Sequence, residues 1–254
     1  MTIKTAILDG VATIEIARPE KKNALTRAMY LQLAAAFDAA REDSTVRAVL
    51  LTGQPGIFTS GNDIDDFLQA RPADPSEVPS FTFMKALLGC DKPVIAAVTG
   101  AAIGIGTTML LHCDFVYVSD EARLAMPFVS LGLVPEFASS LVVPLLMGNA
   151  RAAEKLLLGD PFTGADAVEC GIANAVLPAS EVVKHARRIA ERFNALPPGA
   201  VRETKRLLRR ARSAAVLETI GVEGQTFSAR LQSPEAKEAF SAFFEKRKPD
   251  FSRF

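Results

Sequence analysis

Hydrophobic and polar residues alternate at the start of the chain, over 3–8 and again over 12–17, and Asp9-Gly10 separates the two runs. Alternation with a period of two is typical of a strand with one buried face. An Asp-Gly pair between two such runs supplies the residues with positive φ that a tight hairpin turn requires. The first residues are therefore predicted to form a β-hairpin.

Helical and strand-like patterns alternate over the next part of the chain. Apolar residues three and four positions apart between Met29 and Phe37 predict a helix that begins at the N-cap Thr26 and runs to Ala39. Short apolar runs predict buried strands at 46–51, 94–98 and 115–118. The Pro-rich stretch 71–79 predicts a loop. This alternation predicts an α/β fold.

Strand signals stop at about Pro178, and only helical patterns follow. They cover 181–195, 201–211, 216–229 and 235–246. The change predicts a core over residues 1–190 and a helical C-terminal region over 191–254, which is a candidate for contacts between subunits.

Composition narrows the function classes. The chain has 254 residues, with 29 Lys plus Arg against 29 Asp plus Glu, so it has no excess charge to attract nucleic acid or an anionic membrane surface. Three cysteines without a CxxC pair and two histidines leave little material for a disulfide framework or a metal centre. No apolar run is long enough to span a membrane and no signal peptide is visible, so we expect a cytoplasmic protein.

A glycine-rich segment follows the predicted strand 94–98. Thr99–Gly106 fits the TGxxxGxG pattern of short-chain dehydrogenases, but it comes after at least two earlier strands, and neither Tyr30 nor Tyr117 is followed by Lys four residues later. A helix that starts beside Gly104 and Gly106 could instead present bare N–H groups to a developing oxyanion. Tight packing of helix on strand is an equally plain use of these glycines.

A second loop could supply another N–H donor. Strand 46–52 ends at Gly53, and 57–64 then leads into a short helical run to Phe67. Asn62 follows Gly61 at the start of this run, where backbone N–H groups lack intrahelical acceptors. The alternative is an ordinary capped helix, with Asn62 or Asp63 as the N-cap.

Six segments in the same order resemble the crotonase (enoyl-CoA hydratase/isomerase) family: RPEKKNALT at 18–26, FTSGNDIDDF at 58–67, DKPVIAAVTGAAIGIG at 91–106, CDF at 113–115, LLLGDPFTGADAVECGIANAVLP at 156–178 and the terminal FFEKRKPDF. The resemblance implies a ββα spiral core, a homotrimer or homohexamer, and an acyl-CoA thioester as substrate, with no cofactor besides the coenzyme A that the substrate carries. It also implies that the N–H groups of Asn62 and Ile105 bind the thioester oxygen as it becomes an enolate. Coenzyme A would contact Lys22, Ala24, Ser60, Asp63, Ile64, Phe243 and Lys246.

The carboxylates limit the reaction. Where hydratases of this family carry two glutamates, this chain has Thr108 and Phe128. Neither activates water as a carboxylate does. Glu136 remains, and the surrounding VPEFASS resembles the Δ3,Δ2-enoyl-CoA isomerases, whose single catalytic glutamate stands at this Pro-Glu. Position alone favours the alternative, that Glu136 is a first-turn residue stabilised by the dipole of an apolar helix.

The sequence therefore predicts an isomerase that converts 3-enoyl-CoA to trans-2-enoyl-CoA, with Glu136 as base and then acid. A 2-enoyl-CoA hydratase and an acyl-CoA-binding protein without turnover remain alternatives. His112, in an apolar segment, is predicted to be packed and hydrogen-bonded rather than catalytic. The basic helix at 202–212 is either a solvated face or a contact for the phosphates of coenzyme A.

Overall fold

The computed structural model describes residues 2–68 and 78–254. Its strands are β1 Ile3–Leu8, β2 Val11–Ile16, β3 Ala48–Thr52, β4 Ile57–Thr59, β5 Val94–Val98, β6 Ala101–Ile103, β7 Phe115–Ser119, β8 Arg123–Ala125, β9 Phe162–Thr163 and β10 Ala175–Leu177. Its α-helices are α1 Arg27–Glu42, α2 Ile64–Leu68, α3 Pro79–Gly89, α4 Ile105–Thr108, α5 Ser139–Met147, α6 Asn149–Ala153, α7 Gly164–Glu169, α8 Ala179–Glu191, α9 Pro198–Arg210, α10 Ser213–Leu231 and α11 Pro234–Phe244. The predicted α/β fold is confirmed.

The larger sheet has the order β1-β2-β3-β5-β7-β10. The predicted hairpin is confirmed: β1 pairs antiparallel with β2, and Asp9 and Gly10 both have positive φ. The remaining neighbours pair in parallel. One face of this sheet packs on the small side chains Val182, Ala186 and Ala190 of α8, and the other packs on α1 and α3. Because both faces are covered, β3 and β5 are buried at every position.

The smaller sheet has the order β4-β6-β8-β9, with β4, β6 and β8 parallel. The predicted strand list missed all four of these strands, as well as β10, because two or three residues are too few to show a period. The apolar helix expected after the glycines is present, although it is not a single α-helix. It divides into α4 and a 3-10 helix, Met109–His112.

The loop predicted at 71–79 lies largely outside the described residues. Its last residue, Pro79, instead opens α3, where a proline fits because the first N–H of a helix needs no partner. Within the described part of the chain, no helix is long and apolar enough to cross a membrane.

The C-terminal region is helical as predicted, although the division at residue 190 stays a prediction. The prediction of a solvated basic face is wrong for two members of α9. Lys205 is buried with its Nζ 2.6 Å from Asp114 Oδ2, and Arg209 donates to the other oxygen of Asp114 at 3.0 Å. α10 and α11 also leave several large apolar side chains exposed, among them Leu217, Val222, Phe243 and Phe244.

Candidate active site

Two loops leave the same end of the smaller sheet side by side. β4 and β6 are parallel neighbours with Ile57 opposite Ala101, so the chain emerges from both strands at one edge. A Cβ at Gly61 would lie 2.8 Å from the carbonyl oxygen of Ile103, and a Cβ at Gly106 would lie 2.6 Å from Cγ2 of Thr59. Both loops therefore approach more closely than a larger residue allows, which confirms the packing use of Gly106.

Each loop has a backbone N–H that takes no part in the hydrogen bonds of the neighbouring bridge or helix. In the bridge between Leu25 and Asn62, the N–H of Leu25 donates to the carbonyl of Gly61 and the N–H of Asp63 donates to the carbonyl of Leu25. The N–H of Asn62 takes no part in this exchange. Ile105 is the first residue of α4, where an N–H has no acceptor within its own helix. The two predicted oxyanion donors thus lie on adjacent loops.

Asn23, which was not predicted as a site residue, holds the loop after β4 in place by hydrogen bonds. It is fully buried at φ 54°, and its Nδ2 donates to the carbonyls of Ile16, Ile57 and Phe58. Its own carbonyl accepts from the hydroxyl of Thr59 at 2.7 Å. An Asn in a left-handed turn is the signal that could have revealed this role, because Asn tolerates positive φ better than most residues.

Five of the predicted coenzyme A contacts come together around this turn. The N–H of Ser60 donates to the carbonyl of Lys22, and the Arg18 guanidinium donates to the carbonyl of Ala24 and to Oδ2 of Asp63. Although burial opposes it, the hydrogen bond from Arg18 holds the pKa of Asp63 below its usual value. Oδ1 of Asp63 caps α2, which begins at Ile64, so the capped-helix interpretation is also correct.

The structure does not place Phe243 and Lys246 with these five residues. Both are exposed near the end of α11, where the Phe243 ring packs edge-on against Phe244. Among the described residues, no recorded hydrogen bond or ion pair joins them to the turn around Asn23.

Glu136 lies beside the second loop. Its carboxyl oxygen Oε1 accepts a hydrogen bond of 3.2 Å from the hydroxyl of Thr108, which follows Ile105 by three residues on α4. Thr108 therefore links the carboxyl group of Glu136 to the short helix that begins at Ile105. Phe128, the other residue that stands in place of a hydratase glutamate, is buried, and its ring approaches Gly104 at the head of the same helix.

The environment of Glu136 favours its protonated form. The side chain is 9% exposed, and burial, followed by the negative charge of Glu223, raises its pKa to about 8 against the opposing hydrogen bond from Thr108. A carboxylate that is desolvated in this way is a much stronger base than one in water.

The expected placement of Glu136 at a helix start is wrong. α5 begins only at Ser139, and Phe137 and Ala138 intervene with φ of 59° and 56°. The helix-dipole explanation of Glu136 therefore does not apply. The N-terminus of α5 is instead capped by Glu223 of α10, whose carboxylate accepts from the N–H groups of Ala138 and Ser140. The role of Glu223 could not be predicted, because nothing in its own segment links it to residues 85 positions away.

A row of packed aromatic residues lies near Glu136. The Tyr30 hydroxyl donates to Oδ1 of Asn62 at 2.5 Å, and burial together with the nearby charge of Glu136 raises the pKa of Tyr30 well above its usual value. Phe83 lies between Tyr30 and Phe137, at centroid distances of 5.8 and 6.2 Å.

The prediction for His112 is confirmed. Its ring stacks on Phe137 at 4.1 Å, and Nε2 lies 2.7 Å from the Phe137 carbonyl oxygen. Burial lowers the pKa of His112 to about 4, so the ring is neutral and donates this hydrogen bond.

The described residues contain no group of three or more His, Cys, Asp or Glu side chains placed to hold a metal ion.

Solved structures share this fold over nearly the whole chain. OdaA from Pseudomonas aeruginosa is 52% identical and superposes with a TM-score of 0.93 over 95% of this chain and 98% of that one. An enoyl-CoA hydratase/isomerase from Pseudoalteromonas atlantica is 40% identical and superposes with a TM-score of 0.94 over 99% of this chain and 100% of that one, which confirms the expected crotonase-type fold. A sequence profile described as enoyl-CoA hydratase/isomerase matches residues 6–253, and the chain belongs to that family.

Relatives with different activities match the chain. Enoyl-CoA delta isomerase 2 from Homo sapiens is 33% identical over 94% of this chain, which spans 62% of that protein's length. The 2,3-dehydroadipyl-CoA hydratase of Escherichia coli is 28% identical over 95% of this chain and 94% of that one. The protein is thus an enzyme of the enoyl-CoA hydratase/isomerase family, and its particular reaction must be argued from the site.

Proposed function

We propose that the protein is a Δ3,Δ2-enoyl-CoA isomerase, which converts 3-enoyl-CoA to trans-2-enoyl-CoA. The observation that carries this proposal is the pairing of Thr108 with Glu136: a hydroxyl stands where a hydratase would have a carboxylate, and it binds the buried carboxyl group whose pKa is raised to about 8. One base on one side of the acyl chain suits a proton shift between two carbons of that chain.

In the first half of the reaction, the thioester oxygen accepts hydrogen bonds from the N–H groups of Asn62 and Ile105. Ionised Glu136 removes a proton from C2. The electrons of the broken C–H bond delocalise into the carbonyl and form a dienolate, whose negative oxygen the two N–H groups stabilise. Because those donors are fixed by the chain, they need no rearrangement as the charge develops.

In the second half, protonated Glu136 delivers its proton to C4. The C3–C4 double bond moves to C2–C3, the carbonyl re-forms, and Glu136 is ionised again. The exchange is balanced, since one proton leaves C2 and one arrives at C4 without water or an oxidant. The buried position of Glu136 supports this step, because a protonated carboxyl that is shielded from solvent keeps its proton for the second transfer.

The coenzyme A part of the substrate would bind at the turn formed by Lys22, Ala24, Ser60, Asp63 and Ile64. The Asp63 side chain is engaged by Arg18, so contact with the ligand would fall to the backbone of this turn. Phe243 and Lys246 would reach the ligand from a neighbouring subunit of a homotrimer or homohexamer. The exposed apolar side chains of α10 and α11 support such an assembly.

A hydratase is the second candidate, favoured by the similarity to a bacterial 2,3-dehydroadipyl-CoA hydratase. It would require Glu136 both to activate water and to supply the proton for the α-carbon. The hydroxyl of Thr108 and the ring of Phe128 offer no second acid or base for this work.

The test incubates the purified protein separately with a 3-enoyl-CoA and a 2-enoyl-CoA and identifies the products by mass and chromatography. We expect the first substrate to give the 2-enoyl isomer at unchanged mass and Glu136→Gln to abolish this conversion. Glu218→Gln, the same chemical change at an exposed position of α10, is the matched control and should retain the wild-type rate. Gain of one water by the 2-enoyl-CoA without isomerisation would favour the hydratase, and binding without any reaction would favour a non-catalytic acyl-CoA-binding protein.

A further inference from the structure

The proposed proton transfer gives no role to the buried carboxylate of Glu223. Glu223 of α10 is 6% exposed, and all of its recorded hydrogen bonds go to the segment that follows Glu136. Oε2 accepts from the N–H of Ala138 at 2.6 Å, and Oε1 accepts from the N–H of Ser140 at 2.9 Å and from the Ser140 hydroxyl. Glu223 therefore accepts three hydrogen bonds from the turn that follows the proposed base.

This turn needs outside support. Phe137 and Ala138 both adopt the left-handed conformation, which is unfavourable for residues with a Cβ, and they do so in succession. α5 then begins with Ala138 at its N-cap, and an alanine side chain cannot satisfy the free N–H groups of a helix start. Glu223 supplies the missing acceptor from another helix, in addition to the hydrogen bond from the Ser139 hydroxyl to the carbonyl of Glu136.

The contacts of Glu223 suit its ionised form. Both oxygens accept from N–H groups, and the N-terminus of α5 favours a negative charge at this place. Burial opposes ionisation and raises the pKa of Glu223 above its ordinary value. Within the described residues, the polar or charged groups around Glu136 and its turn are Thr108, Tyr30, Ser139, Ser140, His112 with Arg209 and Arg212 behind it, and Glu223, and the charge of Asp66 acts on Tyr30. Of these groups, Glu223 is the one whose charge raises the pKa of Glu136.

We propose that Glu223 is a positioning residue for the base, holding the left-handed turn behind Glu136 and placing a fixed negative charge next to it. This inference rests on the proposed function, because it assigns Glu223 to the proton transfer that Glu136 performs. A like charge close to a carboxylate favours the protonated form of that carboxylate, which is the form that carries the proton from C2 to C4.

The kinetic test measures kcat and KM for 3-enoyl-CoA against pH in the wild type, Glu223→Gln and the exposed control Glu218→Gln. Loss of the charge should move the acid limb of kcat/KM toward lower pH by about one unit. The weaker base and the loosened turn should lower the plateau of kcat several-fold, on the order of the effect of a misaligned general base. KM should change little. An acid limb that stays at the wild-type position, with or without a lower plateau, overturns the proposal.

A second measurement does not require activity or the folding of Glu223→Gln. In the Glu136→Gln protein, where the neighbouring base cannot ionise, the amide resonances of Ala138 and Ser140 should still follow one titration as the pH is lowered, since their acceptor gains a proton. If neither amide responds to acidification before the protein unfolds, Glu223 does not accept hydrogen bonds from Ala138 and Ser140 in solution. Wild-type protein that leaves 3-enoyl-CoA unchanged would defeat the proposed function, and this titration would still decide the role of Glu223.

Discussion

The raised pKa of Glu136 predicts how the free energy of unfolding changes with pH, and this prediction does not depend on any substrate. The pKa of Glu136 is about 8 in the folded protein against an ordinary value of 4.5. Below the ordinary value, the group is protonated in both the folded and the unfolded chain and contributes nothing. Between the two values, the unfolded chain releases the proton while the folded protein keeps it, so the free energy of unfolding falls as the pH rises. Above about pH 8 the loss is complete.

The size of the effect follows from these two values. One pKa unit corresponds to about 1.36 kcal/mol, so the raised pKa of Glu136 lowers the free energy of unfolding, relative to its value at acid pH, by up to about 5 kcal/mol above pH 8 and by roughly 3 kcal/mol at neutral pH. Glu136→Gln cannot ionise and retains an oxygen that accepts from the Thr108 hydroxyl. We therefore expect the variant to be more stable than the wild type at alkaline pH and equal to it near the ordinary pKa of a glutamate.

The assay is urea unfolding at fixed protein concentration, in buffers at acid, neutral and alkaline pH, with Glu218→Gln as the exposed control. Concentration is fixed because an oligomer's apparent stability depends on it. Equal stability of Glu136→Gln and wild type at every pH would refute the claim that Glu136 is a buried, destabilised carboxylate. A gain that is largest in acid would contradict the sign of its pKa shift.

Three further changes have defined expected outcomes. Asp114→Asn leaves Lys205 buried without its counter-ion and should lower the free energy of unfolding by about 3 kcal/mol or more, measured by denaturant titration. Gly61→Ala places a Cβ 2.8 Å from the carbonyl at the end of β6 at φ +90°, so it should separate the two loops and lower kcat at least tenfold while the protein stays folded by circular dichroism. Glu238→Gln should release the segment after α11 to rapid hydrogen exchange, because ion pairs with Arg247 hold that segment and lower the pKa of Glu238 to about 2; acidification of the wild type through that pKa should do the same.

Long periodic segments could be predicted from the sequence. The hairpin and the helix after Thr26 each extend over several residues with one clear period, and the buried strands predicted at 94–98 and 115–118 are unbroken apolar runs; the local preferences of all four segments agree with the final packing. The strands that position the site could not be predicted in this way. β4 and β6 have three residues each, and their place depends on pairing with segments some 40 residues away rather than on their own composition.

The site residues likewise fall into those that the sequence indicates and those that it does not. Asn62, Ile105 and Glu136 stand in motifs that carry a family resemblance, so the sequence points to them directly. Their partners carry no local signal. Tyr30 bonds to Asn62 across 32 residues, and Glu223 bonds to the segment after Glu136 across 85. These contacts exist only because α1 and α10 pack beside the site, and no periodicity in a single segment contains that information.

The most direct test of the central claim follows a label from C2 of the substrate. A 3-enoyl-CoA deuterated at C2 is converted in ordinary water, and the position of the deuterium in the product is read by mass spectrometry and NMR. If Glu136 alone carries the proton in a shielded pocket, part of the label removed from C2 should appear at C4, and Glu136→Gln should form no product. Isomerisation that continues in Glu136→Gln would contradict the account.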